Sequence, residues 1–178
     1  MEQRHVEQVA GLHHACIHSL LSDLGPRLCR QFYRLALRSP NCFGFVDEDG
    51  GQVRGYAMGA LDNSRLFTGW GLRLALLGAL MRRPALLPRL MFHVRGEFAP
   101  APELIYEAVA TQFRRQGIAT ALSRALAEAF RTRGVSRYEI RIDRANEPNL
   151  ARHRKLGARI VREYQEGGVS RYLLDSTL

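Results

Sequence analysis

Residues 104–126 constrain the fold more than any other stretch. A strand-like run, 104–110, enters a glycine-bearing turn, Arg114-Arg115-Gln116-Gly117-Ile118-Ala119, and a helix-like run, 120–126, leaves it. A strand feeding a helix through such a turn leaves the first N–H groups of the helix without intrahelical partners, at the positive end of the helix dipole. That junction is a seat for an anion, above all a pyrophosphate. At Gly117 the missing Cβ lets the backbone approach a phosphate closely, and Ala119 keeps the next approach nearly as close. The same order would also serve a structural turn ahead of an ordinary helix, so the rest of the chain has to decide.

Downstream the pattern alternates. A helix over 120–133 ends at Gly134, a strand covers 138–142, a short helix over 148–156 ends at Gly157, and 160–164 turns through Gly167-Gly168 into 171–174. This β-α-β-α-β order predicts an α/β sheet with one parallel pair and an antiparallel remainder. Upstream, Val6, Val9, Ala10, His13, Ile17, Leu20 and Leu21 form one helical stripe, and Leu28, Phe32, Leu35 and Ala36 a second. A hairpin follows, from 42–46 through an Asp47–Gly51 turn into 53–60.

Asn146 and the run Lys155-Leu156-Gly157-Ala158 add a second motif. With Arg-x-x-Gly-x-Ala at 114–119, they make the chain resemble the GNAT superfamily of acyl-CoA-dependent N-acyltransferases. That family's signature is Gln/Arg-x-x-Gly-x-Gly/Ala, and its later motif usually reads Lys-Leu-Gly-Phe. The likeness covers roughly residues 103–174, and helix, helix, hairpin is the order of the family's amino-terminal half. The resemblance implies one domain spanning 1–178: an amino-terminal half (1–62), a helical insertion (63–96) between the third and fourth strands, and a cofactor-binding half (97–178). The family's first strand is nearly absent, since only about five residues precede the first helix, against ~5–6 for a typical strand.

It also implies acetyl-CoA as cosubstrate and no metal. Backbone groups near Val109 and Thr111 would run along the pantetheine arm, and the N–H groups of Arg115, Gln116, Gly117, Ile118, Ala119 and Thr120 would hold the pyrophosphate. Arg114 and Arg115 add positive charge there, and Asn146 and Asn149 complete the cofactor-binding set, although alanine is usual at Asn149.

Acyl transfer from a thioester needs a neutral amine, a carbonyl held beside it and an exit for the thiolate. With side chains alternating along a strand, Glu103, Ile105, Glu107 and Val109 are expected on one face. Two carboxylates on a shared face raise each other's pKa, which suits a base working near neutrality. Glu103 stands where protein-acetylating members have their base, and Glu107 is expected nearer the thioester and is the preferred base. Glu103 also admits an ordinary role, as an exposed acid at a strand start. Where many members carry a tyrosine that protonates the thiolate, this chain has His153, either the donor or a surface histidine on a basic helix with Arg152, Arg154 and Lys155.

The 178 residues carry a formal charge of +9, and 63–96 holds six arginines and no acid. In that segment the longest charge-free run, 74–81, has eight residues, against the ~20 that a membrane-crossing helix needs. The insertion is read as helices that pack on the domain or on a second copy, as in a homodimer, and close the substrate cleft. The other reading is peripheral contact with an anionic membrane. Phe67 and Trp70 would line the cleft or anchor the insertion.

Basic and aromatic residues do not interleave as in base-stacking proteins, so no nucleic-acid partner is expected. Cys16, Cys29 and Cys42 read as reduced thiols, and Met1–His5 carry no apolar leader, so a cytoplasmic location is expected. His13, His14 and His18 lack a third metal ligand at suitable spacing. No cysteine lies in the cofactor half, which favours direct transfer over an acyl-cysteine. The expected function is transfer of an acetyl group from acetyl-CoA to a primary amine of a small molecule or amino sugar. The alternatives are a protein or peptide amino terminus as acceptor, and a catalytically weak acyl-CoA-binding module.

Overall fold

A computed structural model of the chain describes residues 1–66, 77, 78, 80, 81, 100–166 and 168–178. Helices α1 (Val6–Cys16), α2 (Leu20–Asp23) and α3 (Pro26–Ala36) precede strands β1 (Cys42–Asp49) and β2 (Gln52–Ala60). Then come β3 (Glu103–Val109), α4 (Ile118–Thr132), β4 (Arg137–Asp143), α5 (Glu147–Lys155), β5 (Arg159–Glu166) and β6 (Val169–Thr177). The six strands form one mixed sheet in the order β1-β2-β3-β4-β6-β5. Only β3 and β4 run parallel, as the alternation of elements predicts. Most of the insertion expected over 63–96, with Phe67 and Trp70, lies outside the described residues. No helix among the described residues is long and apolar enough to cross a membrane.

Two boundaries differ from the sequence reading for local reasons. The first helical stripe continues to Leu21, but α1 stops at Cys16 because Ile17 turns extended and the Ser19 hydroxyl accepts the Ser22 N–H, capping α2 as a separate turn. Serine competes for backbone groups in this way, and both helices still bury the same stripe. In the hairpin, Asp47 and Asp49 belong to β1, and the turn is the pair Gly50-Gly51, both at positive φ. A two-residue loop of that hand matches the twist of its flanking strands.

The sheet has two covered faces. On one, α1 and α3 pack over Tyr56 and Met58 of β2 and Tyr106 and Ala108 of β3. On the other, α4 packs over Ala57, Leu104, Ile140 and Leu174. The phase of β3 changes along its length. Met58 pairs with Tyr106, but the next β2 residue, Gly59, pairs with Leu104, so Ile105 is an extra residue in the ladder. A bulge of this kind reverses the alternation of side chains on either side of it.

Candidate active site

The turn ahead of α4 has the geometry its sequence promised. Gly117 is the N-cap residue, at φ +82°, and no side chain caps the helix. The junction closes with the Ala121 N–H donating to the Gly117 carbonyl at 3.0 Å. The N–H groups of Ile118, Ala119 and Thr120 are therefore left for a ligand or solvent. A Cβ built on Gly117 would meet nothing within 4 Å, so the positive φ, and not protein crowding, calls for glycine. Thr111, Arg114, Arg115 and Gln116 are exposed around the seat, with Arg115 itself at φ 66°. Arg114 Nε also donates to the Val109 carbonyl at 3.3 Å, tying the turn to the end of β3.

Near that seat the parallel pair of strands stops pairing. Glu103 faces Glu139 and Leu104 faces Ile140, and there the pairing of β3 with β4 ends. Both strands continue, to Val109 and Asp143. From Ile105 onward, the edge of β3 facing β4 has no strand against it among the described residues. Unpaired strand groups of this kind hydrogen-bond an extended chain of amides as another strand would.

The two predicted carboxylates do not share a face, because the extra residue at Ile105 lies between them. Glu103 keeps the face of Tyr106, whereas Glu107 points toward α4. Glu103 is 5% exposed, so it is not the exposed strand-start acid that its position allowed. Asn63 Nδ2 donates to its Oε2 at 2.7 Å, and Arg141 Nη2 pairs with the same oxygen at 3.0 Å. No donor among the described residues reaches Oε1. Burial raises its pKa, Arg141 and Asn63 oppose this, Glu139 and Glu166 add to it, and the carboxyl comes to about 7.

Glu107 has the opposite character. Ser123 Oγ donates to its Oε1 at 2.7 Å, Arg152 Nη2 is bonded to its Oε2, and His153 Nε2 stands 3.5 Å from that oxygen. Burial pushes the Glu107 carboxyl up, but His153, Arg152 and Ser123 outweigh it and hold the pKa below the ordinary carboxylate value. The expectation that Glu107 is raised toward neutrality by a second carboxylate is thereby corrected.

Arg152 is the hub that sequence reasoning missed. It bonds Asn149 Oδ1 at 2.6 Å, the Ala119 carbonyl at 3.1 Å and Ser123 Oγ at 2.5 Å, joining α5, α4 and β3. Its sequence neighbours Arg154 and Lys155 are exposed, and nothing local in the sequence sets Arg152 apart from them. His153 is 1% exposed and is no surface histidine. Its Nε2 lies 2.8 Å from Arg152 Nη2, on the same side as the Glu107 carboxylate. Asn146 caps α5 by accepting the Asn149 N–H at 3.3 Å.

The amino-terminal half adds two unforeseen features. His13 is fully buried, with Nδ1 2.7 Å from the Tyr33 hydroxyl and Nε2 3.0 Å from Ser19 Oγ, and burial lowers its pKa to about 4. Cys16, at the end of α1, places its thiol 4.0 Å from the Val109 carbonyl, so a cysteine from outside the cofactor half does reach the end of β3.

The profile of the acetyltransferase (GNAT) family matches residues 12–158. No curated protein matches the chain. Among solved structures, the ribosomal-protein-alanine N-acetyltransferase of Brucella melitensis is 18% identical over 100% of this chain and 97% of its own, with a TM-score of 0.67. The ribosomal-protein-S18-alanine N-acetyltransferase of Escherichia coli is 12% identical over 99% and 90%, at 0.64. NAA60 of Arabidopsis thaliana, solved with acetyl-CoA, is 14% identical over 97% and 93%, at 0.61. At these identities the likeness is one of fold.

Proposed function

The chain belongs to the GNAT acetyltransferase family, and from that premise we propose that it moves an acetyl group from acetyl-CoA directly to a primary amine of a small molecule or amino sugar, with Glu103 as general base. When bound, acetyl-CoA supplies the activated thioester carbonyl. The N–H groups of Ile118, Ala119 and Thr120 hold its pyrophosphate, with Arg115 and Gln116 beside them, and the open edge of β3 near Val109 and Thr111 bonds the pantetheine amides. Asn146 and Asn149, at the start of α5, complete the cofactor-binding set.

Glu103 takes the proton of the acceptor amine on Oε1. The observation that carries this role is a buried carboxylate with one oxygen held by Asn63 and Arg141 and the other without a donor among the described residues. A carboxyl at about 7 is ionised for much of its time at neutral pH and still basic enough to accept a proton. Glu107 and His153 act through Arg152 as positioning residues. The leaving thiolate takes its proton from solvent, since His153 is buried with its Nε2 turned to Arg152 and Glu107.

A peptide amino terminus is the second acceptor class, favoured by the relatives named for alanine residues of ribosomal proteins. Thiol release from acetyl-CoA should be measured against amino sugars, small primary amines and alanine-initiated peptides. Glu103→Gln should lower turnover by about 10²-fold or more with CoA affinity unchanged, while His153→Phe should leave the shape of the pH–rate profile unaltered. Turnover with peptides alone would replace the small-molecule reading. Acetyl-CoA without amine should leave Cys16 unacetylated by mass spectrometry, and an acetyl group there would overturn direct transfer.

A further inference from the structure

Asn63 lies outside both sequence motifs, yet its contacts converge on Glu103. Its backbone N–H donates to the Ala101 carbonyl at 3.0 Å, and its Oδ1 accepts the Ala101 N–H at 3.2 Å. An amide oxygen committed to an N–H fixes the orientation of the carboxamide, so Nδ2 has to face Glu103, which it does at 2.7 Å. The residue before it is equally held: Asp62 exchanges two bonds with the Asn41 side chain, at 2.9 and 2.8 Å, and caps the turn Asn63–Arg65 through Ser64. The donor therefore has little freedom to follow a moving carboxylate.

We infer that Asn63 is a positioning residue for the base: it anchors Glu103 Oε2 so that Oε1 faces the acceptor amine, and it keeps the carboxyl ionised at the pH where the enzyme works. This rests on Glu103 being the base. A carboxamide suits the task because it stabilises the carboxylate form without itself titrating. The other groups around Glu103 are of mixed sign. Arg141 and Glu139 come from β4, Glu166 and Tyr164 from β5, Arg171 from β6 and Tyr106 from β3 itself. Among the described residues Glu139 Oε2 is buried without a hydrogen-bond donor, and Glu166 pairs with Arg171 at 3.1 Å. Among the described residues, Asn63 is thus the neutral donor to a carboxylate otherwise set by burial and opposing charges.

Asn63→Asp separates this role from a structural one. An aspartate still accepts the Ala101 N–H but turns an oxygen, in place of a donor, toward Glu103. Two carboxylates at that distance share a proton, so the apparent midpoint rises. NMR of protein labelled at the glutamate carboxyl carbon, with Glu103→Gln assigning the resonance, reads that midpoint without any acceptor. It should lie at least about one pH unit above wild type in Asn63→Asp. The acid limb of CoA release, with the best amine of the panel, should move the same way.

Asn63→Ala, which loses the Ala101 clamp as well, should also raise the midpoint, with a lower plateau. It serves as the test if the aspartate variant does not fold. A wild-type midpoint in either folded variant overturns the positioning role. Unimpaired turnover in Glu103→Gln removes the base assignment and this inference with it, whereas an inactive Glu103→Gln beside an unmoved Asn63 midpoint removes the inference alone.

Discussion

Replacing Glu103 by glutamine should change how stability depends on pH, and the change can be worked from the site. The carboxyl moves from an ordinary value of 4.5 to about 7 in the folded protein, because burial outweighs the opposing Arg141 and Asn63. A difference of about 2.5 units at 1.36 kcal/mol per unit corresponds to about 3 kcal/mol. The sign follows from proton counts. Between the two values the folded chain binds more protons here than the unfolded chain, so stability falls as pH rises. The contribution is present below about 4.5 and lost by about 7. Glutamine is nearly isosteric and does not titrate in this range.

The stability of Glu103→Gln relative to wild type should therefore improve by about 3 kcal/mol on going from pH 4.5 to pH 8, whatever its fixed offset. Urea unfolding of both proteins at the two pH values measures it, and other titrating groups cancel in the difference. A relative stability constant within about 0.5 kcal/mol, well inside the magnitude expected from linkage, would refute the claim that burial wins at this carboxylate. A change of opposite sign would mean that Arg141 dominates, leaving Glu103 too weak a base for its proposed role.

Three further outcomes are expected. Gly117→Val places a β-branched residue at φ +82° and a side chain over the seat, so CoA affinity by calorimetry should fall at least about tenfold; equal affinity in a folded variant would remove the turn from the cofactor site. Arg152→Met strands Glu107 as a buried carboxylate and should destabilise the protein by about 3–5 kcal/mol at pH 8, with much of the loss recovered on adding Glu107→Met; a loss under about 1 kcal/mol in urea would show a solvent-screened pair. His13 is lowered from 6.5 to about 4, so its contribution is present above about 6.5 and lost as pH falls toward 4. Wild type should thus lose about 3 kcal/mol over that window, a slope that His13→Gln should flatten, and identical acid profiles would show that His13 charges without strain.

The local chain accounts for much of this protein. Runs such as Arg114–Ala119 and Lys155–Ala158 have short-range causes, since glycine alone takes positive φ readily and the order strand, turn, helix leaves N–H groups exposed. The strand–turn–helix junction at Gly117 and the parallel pair in a mixed sheet were therefore legible in the sequence. Alternation along β3 was legible only in part. Period two assumes an unbroken ladder, and one extra residue at Ile105, visible only against β2, put Glu103 and Glu107 on opposite faces.

Partners from distant segments were not legible at all. The same carboxylate chemistry gives a pKa held down at Glu107 and one raised to about 7 at Glu103. The difference comes from distant partners: at Glu107 His153 and the guanidinium of Arg152 outweigh burial, whereas at Glu103 burial outweighs Arg141 and a carboxamide 40 residues away. Local sequence determined which groups are available for acid–base work. Their protonation was decided by desolvation and by charges packed within a few ångströms, and these exist only once the sheet and its helices have come together.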